Sequence, residues 1–173
     1  ESENLEPLFD MIRERVAPPQ VDADAPFQML VTNIDYNKFI GRTATGKIFN
    51  GSVRAGETVA RIDRSGTVTT GRISKLLGYQ GLQQIELNEA SAGDIVTIAG
   101  FEELGISETL ADVESPQPLP YVAIDEPTLS MNFIVNSSPF AGREGKFVTS
   151  RNIRDRLMKE LRTNVSLRVE ETD

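Results

Sequence analysis

Between Phe27 and Asp112 no apolar run lasts more than a few residues before a turn residue interrupts it. The runs Phe27–Val31, Ile48–Phe49, Thr58–Ile62, Thr67–Leu77, Ile85–Leu87 and Ile95–Ile98 are rich in β-branched and aromatic side chains. Turn signals stand between them at Gly46, Gly51, Gly56, Ser65-Gly66 and Ala92-Gly93-Asp94. Val, Ile, Thr and Phe suit a pleated, half-buried surface, while Gly, Asn, Asp and Ser supply the reversals. With no helical periodicity in between, this spacing predicts a closed or nearly closed β-barrel, with a β-sandwich as the alternative.

The flanking segments differ. Leu5, Leu8, Phe9, Ile12 and Val16 fall on one helical face after a potential cap at Asn4, and Pro18 and Pro19 end the pattern. That face rests either on the barrel or on a further domain. A Pro- and Asp-rich connector runs from Ala17 to Pro26, and a second, from Glu114 to Pro120, follows the barrel. Beyond it, alternation through Leu129, Met131, Phe133 and Val135 predicts a strand. Ser150 is a candidate cap for a helix with Ile153, Leu157 and Leu161 on one face, and Val165, Leu167 and Val169 predict a closing strand. This strand–helix–strand unit of about 50 residues is small for independent stability. The chain opens on Glu1 with neither a basic nor an apolar leader region, so we expect an internal piece of a longer protein and no secretion signal.

Among 173 residues there is no Cys and no His. Thiolate metal sites, disulfides, Cys or His nucleophile constellations and imidazole ligands are thereby excluded, which argues against independent catalysis. No apolar stretch approaches the roughly 20 residues that a bilayer span needs, so no membrane partner is expected. The run Gly41-Arg-Thr-Ala-Thr-Gly-Lys47 has the glycine and lysine spacing of a phosphate loop. However, Ile48 stands where a hydroxyl must hold Mg²⁺, and strand-forming residues follow where a helix must begin. We therefore read it as β structure, and a nucleotide-binding enzyme using Gly41–Lys47 is the rival. Gly142-Arg-Glu-Gly-Lys-Phe147, a basic loop before a helix, suits phosphate. Asp125-Glu126-Pro127 lacks a catalytic partner and reads as a solvated strand entry.

The 18 Lys plus Arg and 26 Asp plus Glu give a net charge of −8, yet the signs are segregated along the chain. From Tyr36 to Gly78 there are eight basic residues and two acids, from Tyr79 to Glu126 ten acids and no base, and from Gly142 to Arg168 eight bases and three acids. Two basic faces on an acidic body suit oriented docking on a phosphate backbone. Few aromatics are expected at the surface, so stacking platforms for single strands are not anticipated.

The stretches Ala25-Pro-Phe-Gln-Met-Leu, Asp35-Tyr36-Asn37 with Gly41, Ala92-Gly-Asp-Ile-Val and Asp125-Glu-Pro-Thr-Leu-Ser-Met resemble the TypA/BipA branch of translational GTPases. So do Asn136-Ser-Ser-Pro-Phe-Ala-Gly-Arg-Glu-Gly-Lys-Phe-Val-Thr-Ser-Arg151, Arg156-Leu157 and Val169-Glu-Glu-Thr. The resemblance covers essentially the whole chain. It implies a mainly β fold, with an elongation factor Tu domain 2-like β-barrel followed by a partial ferredoxin-like α+β domain. On that comparison, residues 1–24 are the last helix and linker of a preceding GTPase domain, 25–113 the barrel, 114–119 a linker, and 120–173 the first half of the ferredoxin-like domain.

The resemblance further implies a ribosome-docking piece of a cytoplasmic, ribosome-dependent GTPase associated with ribosome assembly and stress adaptation. Its partners would be small-subunit RNA and protein. No cofactor is expected in this piece, because GTP and Mg²⁺ belong to the preceding domain. Arg143, Lys146 and Arg151 lie in the matching run and are candidate RNA contacts; Arg42, Lys47 and Arg54 are candidates on local charge alone. The remaining alternative is a barrel adaptor that binds proteins through its acidic segment. A ferredoxin-like half would leave strand edges unpaired, so this unit is expected to be either frayed or paired with another copy.

Overall fold

The computed structural model describes residues 4–18, 21–123, 127–143, 145 and 147–171. Helix α1 spans Glu6–Arg15. Ten strands follow: β1 (Gln28–Asn37), β2 (Gly41–Asn50), β3 (Ser52–Arg54), β4 (Thr58–Ile62), β5 (Val68–Arg72), β6 (Lys75–Gln80), β7 (Gln83–Glu86), β8 (Glu89–Ser91), β9 (Ile95–Ala99) and β10 (Thr109–Ala111). Helix α2 (Ser150–Glu160) comes last. Eight strands form one antiparallel sheet in the order β5-β4-β10-β1-β2-β9-β6-β7, while β3 and β8 pair as a separate ribbon.

The predicted barrel is present in nearly closed form, and the run Thr67–Leu77 links the two halves of its sheet. Instead of one long strand it forms two, β5 on β4 and β6 on β9, so consecutive residues pair with opposite ends of the strand order. The corner lies at Ile73 and Ser74, whose N–H groups donate to the carbonyls of Glu57 (2.9 Å) and Ala99 (2.8 Å). Ile73 is itself fully buried, so the corner is part of the core. Met29, Val31, Ile48, Leu76, Val96, Ile98 and Leu110 fill the interior, each contributing about 1.5–3 kcal/mol on burial.

Gly51, Gly56, Gly66 and Gly93 adopt positive φ in turns, as their positions predict. Gly46 does not: it lies inside β2, which is ten residues long. A Cβ there would sit 2.0 Å from the Leu30 carbonyl oxygen, so this glycine admits the β1 backbone beside the register shift between Val31 and Asn33. The strands β3, β8 and β10 had no counterpart in the sequence reading, since three residues carry too little periodicity to detect.

Outside the barrel, α1 forms as the spacing predicts. Asn4 Oδ1 accepts the Glu6 N–H (3.2 Å), one position ahead of the geometric cap Leu5. The α2 cap is Thr149 rather than Ser150, with Thr149 Oγ1 accepting the Asn152 N–H at 3.3 Å. The predicted strands at Leu129–Val135 and Val165–Val169 are not formed. Alternation alone cannot make a strand, because its N–H and C=O groups need a neighbouring strand, and none lies beside them among the described residues. Leu129, Met131, Phe133 and Ile134 are accordingly exposed. The second connector lies along the barrel: Thr109 Oγ1 accepts the Leu119 N–H (2.9 Å) and Gln28 Nε2 donates to the Gln117 carbonyl (3.0 Å).

Candidate nucleic-acid interface

Folding undoes much of the charge segregation seen along the chain. Arg61 on β4 donates to Glu108, just before β10, through Nε (2.6 Å) and Nη2 (2.9 Å), and Glu103 lies 3.9 Å away. Arg54 on β3 faces its register partner Glu89 on β8 at 3.3 Å, and Lys75 pairs with Glu86. Each of these joins a base from the Tyr36–Gly78 stretch to an acid from the stretch that follows. The hydrogen-bonded Glu108 carboxylate raises the Arg61 pKa further, against the opposing effect of burial. Arg72 Nε donates to the Gly56 carbonyl (2.8 Å). Lys38, Arg42, Lys47 and Arg64 have no carboxylate partner among the described residues.

Counterions are also close at hand in the late basic stretch, but they are local. Arg151 lies 3.9 Å from Asp155, Arg168 lies 2.7 Å from Glu170, Arg156 pairs with Glu160, and Arg154 pairs with Glu171. All of these pairs are exposed, where such contacts contribute little and exchange readily for a phosphate. The Arg143 guanidinium stands 4.9 Å from the Phe140 ring centroid, on the turn closed by Ala141 N–H to the Ser138 carbonyl (3.0 Å).

The six sequence-chosen residues therefore do not converge on one patch. Arg42 and Lys47 share β2 but alternate onto opposite faces, five residues or roughly 17 Å apart along the strand. Lys47 sits over Phe49, 5.1 Å from its ring centroid. Arg54 belongs to the separate ribbon and is paired with Glu89. Arg151 opens α2. Lys146 lies outside the described residues, as do Asp125 and Glu126 of the proposed strand entry.

A group that the sequence reading passed over does come together. At the end of the β1–β2 hairpin, Tyr36 is the register partner of Arg42, and the turn between the strands carries Lys38 and Phe39. Directly opposed residues project to the same face. The Arg162 guanidinium, just beyond α2, lies 5.1 Å from the Tyr36 ring centroid. Phe39 is 96% exposed, and its N–H donates to Asn37 Oδ1 (2.8 Å). The expectation of few surface aromatics is corrected here. The missed signal was an apolar ring between two cations in a turn, where polar residues are the norm.

The Gly41–Lys47 segment does not fit a nucleotide phosphate. It is strand throughout, paired with β1 on one side and from Thr43 with β9 on the other, and the Leu30 backbone fills the space beside Gly46. No helix N-terminus follows to present amides to an anion. An open groove of about 810 Å³ lies elsewhere, lined by residues that include Thr45, Tyr79, Ile85, Leu87, Glu89 and Asp94. Among the described residues it has no basic residue in its lining to hold a phosphate backbone. Hydrogen bonds with Thr97 and then Gln84 hold the Tyr79 phenol below its ordinary value. No helix among the described residues is long and apolar enough to cross a membrane.

Residues 26–113 match the family model for elongation factor G domain 2. The chain is 54% identical over 171 residues to the large ribosomal subunit assembly factor BipA of Synechocystis sp., covering 99% of this chain and 29% of that protein. It is 45% identical to the BipA of Bacillus subtilis and 49% identical to that of Escherichia coli, over 99% of this chain and 28% of each. The chain thus spans less than a third of the length of these relatives. The match over residues 26–113, together with similarity along nearly the whole sequence, shows that this chain belongs to the elongation factor G domain 2 family, with BipA proteins as its relatives.

Proposed function

We propose that the chain docks a BipA-type, GTP-hydrolysing assembly factor onto ribosomal RNA in the cytoplasm and carries out no chemistry itself. The observation that carries this reading is the cluster of Lys38, Arg42 and Arg162 about one hairpin end, on a body where Arg54, Arg61 and Lys75 are neutralised by neighbouring carboxylates. Lys47, Arg143 and Arg151 are further contacts; Lys146 is retained from its motif, and Arg54 contributes less because Glu89 already holds it. GTP and Mg²⁺ act on another part of the parent protein, whose nucleotide state biases the orientation of this one.

We assign the docking surface to small-subunit RNA and protein, although the relatives' name speaks of large-subunit assembly. Co-sedimentation with each isolated subunit across a salt series tests the assignment. Small-subunit binding should fall with a log–log slope corresponding to about 4–6 neutralised phosphates. Replacing Arg143 and Lys146 together by Ala should weaken it by about 1 kcal/mol or more. A flat salt response would overturn RNA docking in favour of a protein adaptor, and binding to the large subunit alone would overturn the small-subunit assignment. The same runs without ribosomes test pairing of Leu129–Val135 with a second copy, which a strictly monomeric chain would rule out.

A further inference from the structure

We infer that the end of the β1–β2 hairpin is a stacking site for an unpaired RNA nucleotide, with Phe39 as the platform and Lys38, Arg42 and Arg162 holding the adjoining phosphates. This rests on the RNA-docking reading above and sharpens it, because it specifies the form of RNA that is recognised. Leaving a phenylalanine 96% exposed forgoes the 1.5–3 kcal/mol that its burial would contribute. The bond from its own N–H to Asn37 Oδ1 (2.8 Å) fixes the backbone of the turn that carries the ring, and a backbone ordered before binding loses less entropy when a partner arrives.

The surroundings select an anionic, planar ligand. Arg42 has its Nε closed off from solvent, with no hydrogen-bond partner among the described residues. Arg162 lies against Tyr36 rather than against a carboxylate. Asp35, the nearest acid in the hairpin, alternates onto the opposite face, and its Oδ1 accepts the Tyr36 N–H (2.7 Å). Lys38 and Arg42 stand at the end of one hairpin with Arg162 against it, a footprint too narrow to follow the backbones of an A-form duplex across its grooves. One or two splayed nucleotides match that footprint, and base-on-aromatic stacking tolerates any base.

The chain contains no tryptophan, so Phe39→Trp introduces a single indole at the site. Its fluorescence should be quenched saturably by a single-stranded RNA heptamer, and not by a duplex of the same composition or by oligoglutamate. Phe39→Ala should weaken single-strand binding about 5- to 100-fold without changing duplex binding, and Lys38→Ala and Arg162→Ala should each lower the salt slope by roughly 0.7. Equal binding of single strand and duplex, with Phe39→Ala silent, would overturn the stacking site while leaving RNA docking intact. Competition by oligoglutamate would overturn it in favour of an acidic protein partner. If neither RNA nor either ribosomal subunit bound, the docking reading itself would fail.

Discussion

The barrel and the segment after it use similar side chains to different ends. Between Phe27 and Asp112, Ile, Val and Leu meet partners from strands far away in sequence and vanish into one core. Between Leu129 and Val135 the same kinds of residue alternate just as well and remain exposed. A helix satisfies its backbone within itself, so α2 forms in the late segment even with no buried residue. A strand cannot do so, and the alternating pattern there stays without a sheet. Periodicity thus specifies which face a strand would bury, while only a neighbour makes it a strand.

Core truncation gives the largest expected contrast. Ile48, at 0% exposure in β2, should cost about 3–4 kcal/mol when changed to Ala, because a core walled by paired strands collapses poorly around a cavity. Leu129, at 92% exposure, should cost less than about 0.5 kcal/mol for the same change. Urea denaturation followed by far-ultraviolet circular dichroism compares the two. A comparable loss at Leu129 would mean that its segment packs in solution, and the contrast between the regions would disappear.

Ion pairs repeat the contrast at a smaller scale. The side chains of Arg61 and Glu108 are only 16% and 11% exposed. Arg61→Ala would leave a largely desolvated carboxylate unpaired, which should destabilise by about 2–3 kcal/mol. Arg151, 3.9 Å from Asp155 and 89% exposed, should cost about 0.3–0.5 kcal/mol at most. Double-mutant cycles, Arg61 with Glu108 and Arg151 with Asp155, separate pairing from the other effects of each substitution. Equal coupling energies would erase the distinction.

Much of the barrel was legible because the turn residues at 51, 56, 66 and 93 do locally what their chemistry suggests. Gly46 misled because a glycine admitting a neighbouring backbone looks the same in sequence as a glycine making a turn. The site was less legible still. Arg54, Arg61 and Lys75 looked like free cations because their acids lie 11 to 47 residues away and meet them only through strand pairing. Arg162 and Tyr36 are separated by the rest of the barrel, the second connector and α2. Local charge counts register composition, whereas a binding surface depends on which charges remain after long-range pairing, and only Phe39 with its two flanking cations was present as a local signal.

The smallest effect compares two turns built on the same motif. Asp63 Oδ1 accepts the N–H groups of Ser65 (2.8 Å) and Thr67 (2.9 Å) and the Ser65 hydroxyl (2.6 Å), closing the β4–β5 hairpin. Asn136 Oδ1 accepts the Ser138 N–H (3.0 Å) where no strand follows. Only the first can titrate. The Ser65 hydroxyl, followed by the two backbone donors, holds the Asp63 carboxyl below its ordinary 3.8. A carboxyl depressed on folding adds stability that is fully present above the unfolded value and is lost as the pH falls through the lower folded value. Relative to Asp63→Asn, the native chain should therefore hold a small, constant advantage above about pH 5 that closes below 3.8. Asn136→Ala should show no such dependence. Urea midpoints across that range test both, and an advantage for Asp63 that persisted unchanged into acid would show that its turn is held by shape rather than by charge.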